Sequence, residues 1–402
     1  MPPFVRHAAV LLACFLAGCR APAHMDARPL TLAATMADSV VTTPVAPGAR
    51  LHRLVNTTLP WRAFVLEVDL TCSRLQALKG GATAVGRTTT SRLLSALPDD
   101  MDAIAAINAD FFLFAPPGVP TNLHVERAVM LAGPGPKPVI FTDGRRVQID
   151  SVIAHGRLTT NGGDLRLESW NRPAPTRVGI VDARWGVALD SLERRQVWRL
   201  DPLAGRGARA PGTAASLDGR YRVRPAVSAD TLVFGDTLLV HLPPPRPGSP
   251  APTMRAGDTV RIRLGLATAR GPVRITDAVG GRPIVLADST ITRDVDTEGN
   301  AGFRNLNPRS AIGVNRARTR AWLAVIDGRQ PGYSMGMTLR QVGELMQALG
   351  ATHALNLDGG GSSALVLRSS GDTTVRVVNR PSDQTERPVG NALAVLSRCT
   401  GT

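Results

Sequence analysis

The sequence predicts a mixed α/β (α+β) fold, in which two repeated strand–helix–strand units form a core sheet with a β-rich insertion between them. Three observations predict it. The stretch Arg62-Ala63-Phe64-Val65-Leu66-Glu67-Val68-Asp69 resembles Arg320-Ala321-Trp322-Leu323-Ala324-Val325-Ile326-Asp327, and both are strand patterns closing on Asp. A helix-forming segment follows each, starting at Thr88 and at Met337. Each unit then ends in a short apolar run carrying Asn-x-Asp: Asn108-Ala109-Asp110 and Asn356-Leu357-Asp358. Right-handed crossovers would make the two strands of a unit parallel neighbours. Packing the units as a pseudo-dimer would bring both Asn-x-Asp corners to one end of the sheet, where open α/β sheets bind ligands.

The first element in chain order is a targeting segment. Ala8 to Leu16 is apolar, and Leu16-Ala17-Gly18 places small residues directly before Cys19. This pattern reads as a lipoprotein signal over 1–18, with a lipid on Cys19. The alternative is an ordinary secretory signal cut at another small residue. The apolar run is too short to span a bilayer as a helix. Residues 19–50 are rich in Ala, Pro and Thr and read as a flexible tether, leaving 51–400 as the folded domain. The expected location is the cell envelope, lipid-anchored, on its periplasmic or extracellular face.

Cysteine usage agrees with that compartment. Cys14 leaves with the signal and Cys19 carries the lipid, so Cys72 and Cys399 remain. Both follow strand-like runs, and an oxidising compartment favours a disulfide between them. Two separate buried thiols are the alternative.

Between the two units, roughly 113–280, the chain reads as β-rich elaboration. VIFTDGRRVQI turns at Asp143-Gly144 and DTLVFGDTLLV at Gly235-Asp236, both as hairpins. DTVRIRLGL and VRITDAV are further strands, and 243–252 is too Pro-rich for a strand or helix interior. In the second unit Leu339, Val342, Leu345, Met346 and Leu349 fall at helical spacing. Thr338 is the expected N-cap and Gly350 the stop.

The formal charge is +15, and of 47 Lys plus Arg only Lys79 and Lys137 are Lys. An Arg-rich chain that is also rich in Ala, Gly and Pro reflects a GC-rich genome. No basic run is interleaved with aromatics, which argues against nucleic-acid binding. A positive surface favours anionic substrates or envelope polymers. No His or Cys pair has metal-ligand spacing, and there is no P-loop, nucleophile elbow or dinucleotide fingerprint, so no cofactor is expected. Asp110 and Asp358 together would hold a divalent cation only with more carboxylates than the sequence offers there.

The most distinctive run is Asn356-Leu357-Asp358-Gly359-Gly360-Gly361-Ser362-Ser363. Adjacent glycines permit φ > 0 and the close approach of a ligand to bare N–H groups. A Gly-rich turn with no ligand is the alternative. The segments INADFF, NPRSAIGVNRA, AVIDGR, SMGMTLRQVGELMQALGA, ALNLDGGGSSALV and NRPSDQTERPVGNALAV occur in that order. Together they resemble the phosphodiester glycosidase family over roughly 51–398, most strongly at 104–112 and 305–395. One departure is INADFF, where the family has Asn-Gly-Gly before the aromatics; Ala109-Asp110 adds a carboxylate there.

The resemblance implies an enzyme, a hydrolase cleaving the sugar C1–O bond of a sugar 1-phosphodiester. Its substrate would be an envelope polysaccharide or glycolipid. The alternatives are a phosphodiesterase cutting the P–O bond and a non-catalytic, lipid-anchored polysaccharide-binding module. Asp358 is the leading catalytic carboxylate, as nucleophile or general base, or else a structural Asp accepting N–H bonds from the glycine turn. Asp110 and Asp327 are the further catalytic candidates. Arg309 is the first phosphate ligand, because a guanidinium fork matches two phosphate oxygens; Arg329 and Arg387 are the others. Asn108 and Asn356 would orient the ligand or lock the two corners together. Gly359, Gly360 and Gly361 would offer backbone donors, Ser362 and Ser363 hydroxyls, and Asn391 a polar group before the last strand.

Overall fold

Antiparallel pairing dominates: among the described residues 49% are strand and 9% helix, so the α/β expectation gives way to a β-rich architecture. The computed structural model describes residues 30–399 apart from 136, 173–175, 187–195, 204–215, 227–232, 234, 244–253, 298–303 and 369–373. Cys19 and the 1–18 signal therefore lie outside the described residues. So do the first strand of the Gly235-Asp236 hairpin, in large part, and the loop 243–252 beyond Pro243.

One eight-stranded sheet runs Ser39–Ala46, Ala49–Asn56, Trp61–Asp69, Arg320–Ile326, Arg309–Val314, His353–Asn356, Ile284–Ala287, Thr290–Ile291. Every neighbour in it is antiparallel. The two look-alike stretches pair with each other, Ala63 opposite Ile326 and Asp69 opposite Arg320. A five-stranded antiparallel sheet runs Val375–Val377, Leu365–Arg368, Ala103–Asn108, Ala392–Ser397, Ser73–Leu78.

The expected strand–helix–strand units are thus not parallel neighbours. In the first, Trp61–Asp69 turns at once into Ser73–Leu78, which joins the other sheet, so Ala103–Asn108 follows it there. In the second, Arg320–Ile326 and His353–Asn356 run the same way, but Arg309–Val314 lies between them, antiparallel to both. That strand, RSAIGV, is buried along its whole length. A run buried on both faces carries no alternation to say whose neighbour it is.

The second-unit helix forms as expected. Thr338 caps Leu339–Ala348 with its side chain on the Gln341 N–H, Gln341 returns the bond in a capping box, and Gly350 ends the helix at φ +96°. Its stripe of Leu339, Val342, Leu345 and Met346 is buried against Leu54, Val65, Ala324 and Ile326 on the outer face of the large sheet. The two sheets face each other across a core of Leu51, Leu66, Ile312, Leu323 and Leu355 on one side and Leu75, Ile107, Leu365, Leu393 and Val395 on the other. The short helix Thr90–Ser95 covers the far face of the smaller sheet through Leu93 and Leu94. The layers are helix, sheet, sheet, helix.

Residues 39–50, expected in the tether, belong to the domain. Ser39–Ala46 is the edge strand of the large sheet, paired with Ala49–Asn56. Its Val and Thr residues are β-formers that Pro44 and Pro47 disguise in composition. Cys72 and Cys399 form the expected disulfide, with Cα atoms 5.0 Å apart. It ties the start of Ser73–Leu78 to the end of its partner strand Ala392–Ser397. The insertion builds a second five-stranded sheet and a nine-stranded sheet, including the Asp143-Gly144 hairpin.

Candidate active site

The two Asn-x-Asp corners arise on different sheets and nevertheless meet. Ala103–Asn108 and His353–Asn356 both stop at the same end of the two-sheet core. The Asp358 N–H donates to Ala109 O at 2.8 Å. The fully buried Asn108 clamps the junction: its Nδ2 donates to Asp358 O at 2.6 Å. Its Oδ1 accepts from Ser310 Oγ at 2.7 Å and from the Ala364 N–H at 3.1 Å. Of the two roles expected for Asn108, locking the corners is the one the structure gives it.

The glycines then turn the chain across the end of Arg309–Val314. Gly360, at φ +62°, donates its N–H to Pro308 O at 3.0 Å and opens a short 3-10 turn over Gly360–Ser362. A Cβ on Gly359 would stand 2.6 Å from Pro308 O, so bare backbone is a steric requirement here. A Cβ on Gly361 would clash with Arg387 and Asp383.

These elements enclose a pocket of about 280 Å³ lined by Phe111, Asn307, Pro308, Arg309, Arg329, Asn356, Asp358, Gly359, Gly360 and Arg387. A larger depression, about 1070 Å³, lies on the nine-stranded sheet and shares none of these residues. The smaller pocket is where buried carboxylate and guanidinium groups converge, so the chemistry belongs there.

Asp358 lies at the pocket floor. Burial pushes its carboxyl up to about 6, against the opposing pull of the Ser362 hydroxyl, the Arg387 charge, the Gly359 N–H and the Arg282 charge. Asp110 is buried beside it. Its Oδ2 accepts the Asn122 N–H at 2.7 Å and its Oδ1 the Thr121 hydroxyl at 3.2 Å. Burial pushes Asp110 up to about 7; Arg172 pulls it down and the Asp358 charge adds to the rise. Asp110 is not among the residues that line the pocket. Asn391 holds it in place, its Oδ1 accepting the Asp110 N–H at 2.8 Å while its Nδ2 meets the buried His124 Nδ1 at 3.0 Å.

Arg309 lines the pocket but is 5% exposed. Its Nε donates to Met337 O at 3.0 Å and its Nη2 to Asn305 O at 2.8 Å. Burial, with Arg329 alongside, lowers it to about 10. Its charge therefore reaches the pocket while part of its fork braces the backbone. Arg329 (φ +58°) is exposed and steadied by its Nε on Asn307 Oδ1 at 3.0 Å. Arg387 is held by Asp383, with Nε at 2.9 Å and Nη2 at 2.6 Å from Oδ2. Asn356 donates Nδ2 to Arg282 O at 2.6 Å and lines the pocket. Ser362 and Ser363 are buried rather than presented to the pocket.

Asp327 does not join this group. Its carboxylate accepts the Arg380 N–H, at 2.9 Å and 3.1 Å, Asn379 Nδ2 at 3.0 Å and the Tyr333 hydroxyl at 3.0 Å. It is a structural tie between the 327–335 and 379–380 loops, and its catalytic candidacy is withdrawn. Sequence reading missed Arg282 and Arg172. Arg282 stacks over Phe111, 5.2 Å from the ring centroid, and Gly280-Gly281-Arg282-Pro283 is a glycine-plus-arginine signal that could have found it. Arg172 donates to Gly133 O, Pro120 O and Asn122 O at 2.9 Å each, and nothing in its local sequence marks it. Among the described residues no group of three or more His, Cys, Asp or Glu is arranged to hold a metal ion.

Residues 213–396 match the phosphodiester glycosidase family. No curated protein matches the chain. Among solved structures, a hypothetical protein from Synechocystis is 18% identical with a TM-score of 0.67. That alignment covers 90% of this chain, and the chain spans 64% of that protein's length. A Burkholderia pseudomallei protein described as exported is 21% identical, TM-score 0.60, covering 84% of this chain and 74% of its own. Both share the fold. The zebrafish N-acetylglucosamine-1-phosphodiester alpha-N-acetylglucosaminidase catalytic domain, auto-inhibited by its pro-peptide, is 13% identical with a TM-score of 0.43, covering 93% and 97%.

Proposed function

We propose that this protein is a hydrolase that cleaves the sugar C1–O bond of a sugar 1-phosphodiester in an envelope polysaccharide or glycolipid. The family match supports the reaction class. One observation carries the assignment of the site: a single carboxylate, the half-buried Asp358, shares a 280 Å³ pocket with three arginines, Arg309, Arg329 and Arg387.

The chemistry asks for that balance. As C1–O breaks, the bonding electrons leave with the phosphate monoester, whose second pKa of about 6 makes it a competent leaving group without a strong acid beside it. Arginine charge stabilises the departing phosphate. The sugar develops oxocarbenium character that a carboxylate stabilises. With its carboxyl at about 6, Asp358 is ionised at neutral pH yet basic enough to take a proton from the attacking water. The water oxygen and one of its protons end on C1 as a hydroxyl, and Asp358 passes the other proton to the departing phosphate or to solvent. Acting instead as nucleophile, Asp358 would form a glycosyl ester that water then opens at C1. Asp110 packs behind Asp358 and keeps its own proton below about pH 7. No metal or cofactor enters this scheme. The signal sequence and Cys19 support a lipid-anchored envelope location, and the carbohydrate phosphodiester is the partner.

Turnover of an activated sugar 1-phosphodiester in oxygen-18 water tests the reading. Label should appear in the released sugar, and Asp358→Asn should lower kcat by about a thousandfold or more. Label in the phosphate would establish P–O cleavage instead. Binding without turnover, unchanged in Asp358→Asn, would establish a non-catalytic module.

A further inference from the structure

We propose that the outer face of the nine-stranded sheet is a docking surface for a linear phosphate polyanion, separate from the catalytic pocket. Five consecutive strands form it: Gly163–Leu167, Ile153–Thr160, Thr259–Thr268, Leu217–Ala226 and Gln196–Pro202. Their inward positions fill a core, with Leu158, Val260, Ile262 and Leu264 buried. Their outward positions need only be polar, and any mixture of Ser, Thr and charges would serve. Arginine fills them instead. Arg220, Arg222 and Arg224 take successive outward positions on one strand and Arg261 and Arg263 on its neighbour, all exposed.

The register makes the arrangement costly without a ligand. Arg166 stands opposite Arg157, and Arg157 opposite Arg263, so three guanidiniums line up across three strands. Like charges directly opposed across a ladder are destabilising. The five strands carry eight arginines against three carboxylates, Asp164, Asp201 and Asp218. Each carboxylate is already engaged: Asp164 with Arg157 at 2.5 Å, and Asp218 with Arg261 at 3.1 Å and Arg263 at 3.5 Å. Asp201 is shared by Arg224 at 2.7 Å and Arg199 at 2.8 Å. Glu168, just past the first strand, lies 3.9 Å from Arg166. The excess positive charge therefore persists after every local pairing.

Shape favours a strand-like partner over a flat one. The face carries the depression of about 1070 Å³, bordered by His155, Arg157, Arg166, Arg261 and Arg263. Gly265, opposite His155, leaves its floor open: a Cβ there would meet nothing within 4 Å. A membrane surface would call for exposed Trp, Phe or Leu among the basic groups. Among the described residues the face offers one exposed large apolar side chain, Ile153 at its border. Guanidinium forks suit phosphate oxygens in particular.

The test is anisotropy of fluorescein-labelled long-chain inorganic polyphosphate with the full mature chain, at low and high salt. Wild type should bind, and the Arg157→Gln/Arg263→Gln double variant should bind about tenfold or more weakly, with a shallower salt dependence. Asp218→Asn should bind more tightly. Turnover of a small soluble sugar 1-phosphodiester should be unchanged in the double variant, and its thermal melting point should not fall. Equal polyphosphate binding by wild type and double variant would overturn the proposal. So would binding to phosphatidylglycerol vesicles without binding to the polymer. If the small substrate is not turned over by either protein while polymer binding is lost in the variant, the docking surface stands and the proposed reaction falls.

Discussion

Replacing Asp110 with Asn should stabilise the protein at neutral pH and leave it almost unchanged in acid. Burial holds the Asp110 carboxyl at about 7, against an ordinary 3.8. Between those values the folded chain keeps a proton that the unfolded chain has released. Where the unfolded state binds fewer protons, stability falls as pH rises, by about 1.4 kcal/mol per pH unit. Carried across the interval, the loss reaches roughly 4 kcal/mol and is complete above pH 7 or so. Asparagine removes the titration, and the site accommodates it. The Asn122 N–H reaches one side-chain oxygen at 2.7 Å and the Thr121 hydroxyl the other at 3.2 Å. An amide carbonyl keeps the first bond, and an amide N–H can donate to the Thr121 oxygen. Arg172 loses its anionic neighbour, which offsets part of the gain. The expected net is about 1–3 kcal/mol at pH 8, shrinking toward zero near pH 4. Urea unfolding of both proteins across this range measures it. A variant no more stable than wild type at pH 8, or an advantage that does not grow with pH, would refute the reasoning.

Three further outcomes are expected. Turnover should fall on the acid side as Asp358 gains its proton near pH 6, and Asp110→Asn should leave that limb in place, because Asp110, held at about 7, is already neutral there; a limb displaced by a pH unit or more in the pH–rate profile would disprove that order of titration. Asn108→Ala leaves Asp358 O, Ser310 Oγ and the Ala364 N–H without their partner and should cost about 2–5 kcal/mol by urea unfolding, a loss below about 1 kcal/mol contradicting the corner-lock role. Cys72 and Cys399 should both be blocked to thiol reagents in denatured mature protein, and replacing both with Ala should cost about 2–5 kcal/mol; two reactive thiols would remove the disulfide.

Short-range features were legible before the fold was. Thr338, the apolar stripe and Gly350 describe a capped helix in twelve or so residues, and the structure builds that helix. The twin Asn-x-Asp endings pointed to two tips converging, and hydrogen bonds between Asn108, Ala109 and Asp358 show that they do. The means of convergence was not legible. Strand patterns report which side chains are apolar, not which strand lies alongside, so the repeat suggested parallel units where the chain pairs its two copies antiparallel. Asp327 looked like Asp358 in sequence, each ending an apolar strand beside glycine. Only its neighbours, Arg380, Asn379 and Tyr333, make it a tie rather than a pocket carboxylate.

The sequence by itself determined what a few consecutive residues can encode: the helix and its caps, the Asp143-Gly144 hairpin, the half-cystine pair and the glycine turn after Asp358. Tertiary structure alone decided sheet membership, the burial that lifts Asp110 and Asp358, and the placing of the Arg282 charge near Asp358 and of the Arg172 charge near Asp110. The reason is distance along the chain. Asn108 and Asp358 are bonded across 250 positions, and Ala63 faces Ile326, so no local pattern carries those choices. They are settled only when the two sheets close over a shared apolar interior.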